Sequence, residues 1–378
     1  MAEVVALVTA DWHVRKFDRV WYRRDTLCGD TEWGIKQIRD IVHERSIKCV
    51  LLLGDLFEQK LQQSDALRVM RVALDDLERQ RCNVWYVQGQ HERSSPPLLS
   101  AIHDWPRHLD GVIEILPGND MLVYGLDYVP PTDVEEALKR VPDADILATH
   151  QVWKDLMGSE RGDAWLHWAG HVPYVLTGDY HRTLYEQRGQ QSIMSPGSLC
   201  MQSIDEVPDK HVYLLRDDMS AEPVRLKSRG YFGARLYSED DLIQFLDTWH
   251  QNPARIPQQE VPHSIATNIL RVWYRADIPD AKQRIEARVQ LDAHLFMKVI
   301  PVEDTQITVD AERRAQAILN GGLEGCIRTF YADNPVVCED AVRLARTRDI
   351  QEELLQIYKE RLNGTDRQRE GTLQNTTT

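Results

Sequence analysis

Along roughly the first half of the chain, short apolar runs rich in Val, Ile and Leu each stop at a polar cluster. Val4–Thr9 ends at "ADWH", Cys49–Leu53 at "GDLFE", Val84–Val87 at "GQHE", Ile146–Ala148 at "THQ" and Tyr174–Thr177 at "GDYH". Runs of this length and β-branched content predict strands buried on both faces. Amphipathic stretches lie between some of them. "TEWGIKQIRDIVHER" places apolar residues at 35, 38, 41 and 42, and "SDALRVMRVALDDLERQ" places them at 67, 70, 74 and 77 behind Ser64, an N-cap residue type. Both read as helices with one buried face. Buried strands alternating with helices predict an α/β domain.

The texture changes from about Gln187. "RGQQSIMSPGSLCMQ" reads as a turn-rich strand region, and "HVYLLRDDMSAEPVRLKS" as two strands around a turn that complete a first domain, 1–228. "SEDDLIQFLDTWHQ" is expected to be a helix capped by Ser238, and "NPARIPQQEVPH" a linker or long loop. Strand "SIATNILRVWYRADI", helix "PDAKQRIEARVQLDAHL" and strand "FMKVIPVE" then form a β-α-β unit, the core of a smaller domain, 229–330. The remainder, 331–378, reads as a helical segment with Ile350, Leu354, Ile357 and Tyr358 on one stripe, followed by a polar tail expected to be disordered.

The 378 residues are 42% hydrophobic and 28% charged, enough for a sizeable core in a globular protein. No apolar run approaches the ~20 residues that span a bilayer. The start, "MAEVVALVTADWHV", lacks a basic leader and carries Asp11, so the expected compartment is the cytoplasm. The net charge of −14 argues against a surface that grips nucleic acid all over, and leaves room for a local basic groove or a metal site. Cysteines 28, 49, 82, 200, 326 and 338 show no CxxC spacing and read as reduced core thiols.

The strand ends carry the candidate chemistry, because the carboxyl ends of strands form the ligand crevice of α/β sheets. They offer Asp11 and His13, then Asp55, then Gln90, His91 and Glu92, then His150, then Asp179 and His181. The aspartates, imidazoles and amide are more ligands than one ion needs. A carboxylate bridging two ions ~3.5–4 Å apart is the usual arrangement for phosphate chemistry.

The order D-x-H, G-D, G-Q-H-E, a lone His and G-D-x-H resembles that of the metallophosphoesterase (calcineurin-like) superfamily. "GDLF", then "IMSPGSLCMQ", then a strand pair leading to a small β-α-β domain, looks more narrowly like the SbcD-type DNA-repair nucleases. The motif resemblance covers residues 1–230, and the C-terminal third is similar in layout only. It implies a β-sandwich flanked by helices, a smaller capping domain that helps hold DNA, and C-terminal helices. It implies a first ion on Asp11, His13, Asp55 and His181, with Asp55 bridging, and a second completed by Gln90, His150 and Asp179. His91 is then the acid that serves the departing oxygen, and Glu92 the residue that orients it by a hydrogen bond. The implied activity is Mn²⁺-dependent exonuclease and endonuclease cleavage of DNA, with Mg²⁺ the second candidate ion. The implied partners are an SMC-like ATPase of the SbcC type, docked near the C-terminal helices, and a second copy of the chain.

Two residues depart from the family pattern: Gln90 replaces its usual Asn and Asp179 its usual His. Glutamine is one methylene longer. Aspartate adds a negative charge, which favours Mn²⁺ or Mg²⁺ over Zn²⁺ and makes an ion-bound water less acidic. The alternatives are a phosphomonoesterase or protein phosphatase of the same superfamily, and a DNA-end or ATPase-binding scaffold with a degraded site. "GQHE" suits the phosphatase, but "GDLFE" lacks that branch's "DRG". His171 in "AGHVP" reads as structural or surface, and Trp153, Trp165 and Trp168 as packing rather than base-stacking residues. The run Arg15, Lys16, Arg19, Arg23, Arg24 is either a solvated face or a phosphate-contacting loop.

Overall fold

The computed structural model describes residues 2–14, 30–58, 64–157, 162–202, 206, 208–255, 268–289 and 295–302. The basic run at 15–24, the linker residues 256–267, Cys28, Cys326, Cys338 and the whole of 331–378 lie outside the described residues.

In chain order the strands are β1 Val4–Thr9, β2 Cys49–Leu53, β3 Asn83–Val87, β4 Arg107–His108, β5 Ile113–Ile115, β6 Leu122–Leu126, β7 Ile146–Thr149, β8 Tyr174–Thr177, β9 Leu184–Arg188, β10 Gln191–Ser195, β11 His211–Arg216, β12 Ala221–Arg225, β13 Tyr231–Leu236, β14 Asn268–Arg275 and β15 Leu295–Val302. The helices are α1 Asp30–Arg45, α2 Ser64–Arg79, α3 Leu98–Ile102, α4 Val134–Lys139, α5 Lys154–Met157, α6 Glu239–Asp247 and α7 Ala281–Val289. The first sheet runs β12-β11-β1-β2-β3-β4, the second β5-β6-β7-β8-β10-β9 and the third β13-β14-β15. The five motif strands therefore divide: β1, β2 and β3 are parallel neighbours in the first sheet, β7 and β8 in the second.

Successive side chains of a strand point to opposite faces, and here both faces are apolar. Leu7, Val50, Leu52, Val84 and Tyr86 face one way, into a core with Ile35, Ile38 and Val42 of α1 and Met70, Leu74 and Leu77 of α2. Val8, Leu51, Leu53, Trp85 and Val87 face the other way, into a core shared with Val123, Ile146, Ala148, Leu176 and Met194 of the second sheet. That sheet's far face packs Leu147, Val175 and Ile193 against Val134 and Leu138 of α4. The result is the expected α/β fold, two stacked sheets flanked by helices. Its stacking explains why the motif runs are continuously apolar rather than alternating. Ile41 and Leu67 of the predicted stripes are only partly buried; the other six positions are buried.

Strands β4, β5, β6 and β13 had not been predicted. β4 has two residues and β5 three, and Ile113 and Ile115 of β5 are exposed, so no buried run marks them. The predicted pair at β11–β12 is an antiparallel hairpin, and the predicted strand region after Gln187 gives β10, which pairs antiparallel with β9, a strand not predicted. By packing, the chain divides into one unit of Met1–Ala234, Leu246–Val272 and Ile285–Val299, and a second that includes Arg235–Phe245 and Trp273–Arg284. In the second, Ser238 caps α6 as expected: Asp241 N–H donates to Ser238 Oγ at 3.1 Å, and Ser238 N–H donates back to Asp241 Oδ2 at 2.9 Å. β14, α7 and β15 follow one another in the predicted order. No described helix is long and apolar enough to cross a membrane.

Cys49, Cys82 and Cys200 are free and buried. Burial pushes the Cys82 and Cys200 thiols up to about 12, and Cys49 well above its usual range. A thiol reagent at pH 8 should therefore leave these three unmodified in the native protein and label them after denaturation, read by peptide mass mapping. Labelling at any of them before unfolding contradicts the packing.

Candidate metal centre

The backbone at the strand ends is unusual before any side chain is considered. Among the described residues nine non-glycine residues have positive φ, and five of them are Asp11 (51°), His13 (46°), Asp55 (48°), Asp179 (73°) and His181 (51°). Each costs ~1–3 kcal/mol and persists only where the surroundings over-determine it. The turns interlock. Asp11 N–H donates to the Gly54 carbonyl at 3.0 Å and His13 N–H to the Asp55 carbonyl at 2.9 Å, so the end of β1 is stitched to the loop after β2. Asp179 N–H donates to Asp11 Oδ2 at 3.1 Å, joining the second sheet to the first. His91 N–H donates to Asp55 Oδ1 at 3.0 Å. Two motif glycines are sterically required. A methyl group on Gly54 (φ 82°) would lie 2.5 Å from His150 Nδ1, and one on Gly89 would overlap Asp55 Oδ1.

These turns bring together all seven predicted ligands and His91. His150 Nε2 lies 3.4 Å from Asp55 Oδ2, 3.9 Å from Asp11 Oδ1 and 3.9 Å from Asp179 Oδ1. His181 Nε2 is 3.8 Å from Asp11 Oδ1 and 3.1 Å from His13 Nε2. His91 Nε2 is 3.7 Å from Asp55 Oδ2. Asp11–His13–His181, His13–Asp55–His91 and Asp11–Asp55–His150 each have ligand atoms close enough to hold one ion. Gln90 and Asp179, the two departures from the family pattern, touch each other: Gln90 Nε2 donates to Asp179 Oδ1 at 2.9 Å.

The donor set fits divalent cations. Asp55 Oδ2, His150 Nε2 and Gln90 Oε1 are buried and find no hydrogen-bond partner among the described residues. Buried polar atoms are normally satisfied, at a cost of ~1–3 kcal/mol each when they are not. Burial alone would raise the Asp55 carboxyl, but the charges of His150 and His13 and the His91 N–H outweigh it and bring it to about 2. Burial holds Asp11 above the usual carboxylate range despite its histidine neighbours. For His150 burial opposes the charged form, yet Asp55, Asp11 and Asp179 hold its pKa well above the ordinary value. The carboxylates thus favour positive charge at a centre whose floor, Asp11, Asp55 and His150, is buried, as a cation site requires.

The His150, His91 and His181 rings are fixed through their other nitrogen, which decides the tautomer. His150 Nδ1 meets the Leu53 carbonyl at 2.6 Å and His91 Nδ1 the Glu58 carbonyl at 2.7 Å. His13 Nδ1 lies 3.0 Å from Glu58 Oε2, and His181 Nδ1 3.0 Å from Glu206 Oε1. The expected hydrogen bond from Glu92 to His91 is not formed. Glu92 is buried and accepts from Gly89 N–H at 2.9 Å and Phe57 N–H at 3.5 Å, so it supports the loop, and the Glu58 carbonyl orients His91. Burial and nearby Asp55 raise the Glu92 carboxyl to about 7. Glu58, Ser198, Glu206 and Lys210 were not identified as site residues. Glu58 stood inside the quoted "GDLFE", whereas Glu206 and Lys210 follow His181 at no spacing that any rule reads. His171 donates through Nε2 to the Val141 carbonyl at 2.7 Å, a structural role, and Trp153 is buried in the core.

No family model matches the chain, and no curated protein matches it. Solved structures similar to it include an archaeal phosphodiesterase (13% identity, 58% of this chain and 99% of that one, TM-score 0.35). Others are a dimetal phosphatase from Danio rerio (13%, 60% and 100%, TM-score 0.39) and a phosphopantetheinyl hydrolase from Mycobacterium tuberculosis (12%, 52% and 91%, TM-score 0.34).

Because a side chain at Gly89 displaces Asp55, Gly89→Ala should keep its far-ultraviolet circular dichroism but lose bound divalent metal, measured as metal content after dialysis. Metal content equal to wild type contradicts the shared placement of Gly89 and Asp55.

Proposed function

We propose that this chain is a two-metal phosphoesterase of the calcineurin-like superfamily, and within it a DNA nuclease of the SbcD type. The observation that carries the reading is the convergence of Asp11, His13, Asp55, His150, Asp179 and His181 around buried, unpartnered ligand atoms. Asp11, His13, Asp55 and His181 would hold one divalent ion; Asp55, His150, Asp179 and Gln90 Oε1 would hold the other. When bound, such a pair supplies charge to the phosphoryl oxygens and a water of lowered pKa.

The chain's own residues supply the rest. His91 is 37% exposed at its side chain, the most open of the site histidines, so a substrate can reach it. With Nδ1 against the Glu58 carbonyl, the proton it exchanges sits on Nε2, facing Asp55 and the reacting centre. His91 therefore delivers a proton to the departing oxygen. Gln90 gives its amide protons to Asp179, which turns its carbonyl oxygen free as a ligand and shares the extra negative charge at that position. The scaffold reading required these two residues to have ruined the second site, and their mutual hydrogen bond speaks against that.

The finer assignment rests on the loop after β10. Ser198 bridges Ala10, and Leu199 N–H donates to the Asp11 carbonyl at 3.3 Å, so the "SPGSL" stretch that resembles the nucleases lies against the first motif. Phosphodiesters of DNA are the substrate class of this reading, and Mn²⁺ is the metal for both positions, with Mg²⁺ the alternative. An SMC-like ATPase and a second copy of the chain are its partners.

The test is Mn²⁺-dependent digestion of end-labelled duplex and single-stranded DNA, with an aryl phosphate monoester in parallel. Wild type should cut DNA, and His91→Ala should cut ~10²–10⁴-fold more slowly while retaining its metal. Hydrolysis of the monoester alone assigns the protein to the phosphatases. Failure on both substrates, with the ATPase supplied, returns the scaffold reading.

A further inference from the structure

Outside the ligands themselves, a cluster in the segment after β10 meets the first ion's histidine from behind. Glu206 Oε1 lies 3.0 Å from His181 Nδ1. Its other oxygen, Oε2, accepts from Lys210 Nζ at 2.7 Å, Ser198 Oγ at 3.0 Å and the Gln202 N–H at 3.2 Å. Lys210 is 2% exposed, and its ammonium also donates to Ser198 Oγ at 2.7 Å and to the His181 carbonyl at 3.3 Å. A buried lysine is rare unless paired, and this one spends its donors on the carboxylate and on the residue that the carboxylate serves.

We propose that Glu206, locked by Lys210, is a positioning residue for His181 and sets how tightly the first ion is held. The inference rests on the two-ion reading above. The two carboxylate oxygens have separate tasks. Oε2 is saturated by three donors, so the carboxylate cannot swing into the centre and become a ligand itself. Among the described residues, Oε1 meets His181 alone. It keeps the ring proton on Nδ1, so the lone pair sits on Nε2, the nitrogen that faces Asp11 and His13. A carboxylate behind a ligating histidine fixes the ring and makes it a stronger donor. The Lys210 charge offsets that of Glu206, so the pair contributes orientation more than net charge. Burial alone would raise the Glu206 carboxyl, but the bond to His181 and the charge of Lys210 overcome it and hold it at about 2.

A merely structural ion pair predicts something different, and full-length Glu206→Ala and Glu206→Gln separate the two. Mn²⁺ binding is followed by calorimetry, the His181 tautomer by nitrogen-15 NMR in chelator, and melting of the chelated protein in parallel. Wild type should show two Mn²⁺ sites and a His181 protonated at Nδ1. Glu206→Ala should weaken one site by ~10–100-fold and leave the other near wild type, with the Nδ1 tautomer lost. Glu206→Gln, whose amide oxygen still accepts from Nδ1, should keep the tautomer and lose less affinity. If Glu206→Ala does not fold, the Gln variant decides: affinity equal to wild type overturns the proposal. Lower melting with unchanged Mn²⁺ affinity makes Glu206 structural only and overturns this inference while the two-ion reading stands. A wild type that takes up no Mn²⁺ overturns the two-ion reading, and this inference with it.

Discussion

Buried negative charge is the constraint on which the structure depends. Asp11 is 0% and Asp55 1% exposed, so two carboxylates sit where water cannot solvate them. Ionised groups in such a place must be paired or must bind metal. The chain answers with four imidazoles within 4.0 Å of one carboxylate or the other and with left-handed backbone at Asp11, His13, Asp55, Asp179 and His181. Hydrogen bonds across β1, β2 and the loop after β8 make the turns mutually dependent. The two sheets exist, in this sense, to bring the ends of β1, β2 and β3 against those of β7 and β8.

Around that centre, His150, His91 and His181 are each held by a group that is itself fixed. Backbone carbonyls of Leu53 and Glu58 hold His150 and His91; carboxylates of Glu58 and Glu206 face His13 and His181. Carbonyls are fixed by the loop. Glu206 is fixed by Lys210 and Ser198. His150, a proposed ligand, shares the neutral carbonyl support of His91, whereas His181 has a carboxylate behind it, whose charge makes a ligating imidazole a stronger donor.

Gln90 and Asp179 show why single departures from a motif mislead when read one at a time. A longer amide and an added carboxylate each read as a change in metal preference and, under the scaffold alternative, as a degraded site. In the folded chain they are hydrogen-bonded partners, and the amide oxygen is the atom left over. Their compatibility depends on a contact between residues 89 positions apart.

The apolar runs, their continuous character and the polar clusters that end them were legible in the chain, and with them the α/β class and the seven residues that the fold gathers at the strand ends. Local chemistry dictates those features: a strand buried on both faces must be apolar throughout, and a ligand must follow where the strand stops. The assignment of the motif strands to two sheets was not legible, because a parallel strand looks the same in either. Nor were β4 and β5, too short and exposed to leave a pattern. The role of Glu92 was misread, since its nearness to His91 in sequence says nothing about which backbone groups its carboxylate reaches once buried. Glu206 and Lys210 carried no signal at all. Ligand identity is written in the motifs, but what stands behind each ligand is decided by long-range packing, and only the tertiary structure brings those residues there.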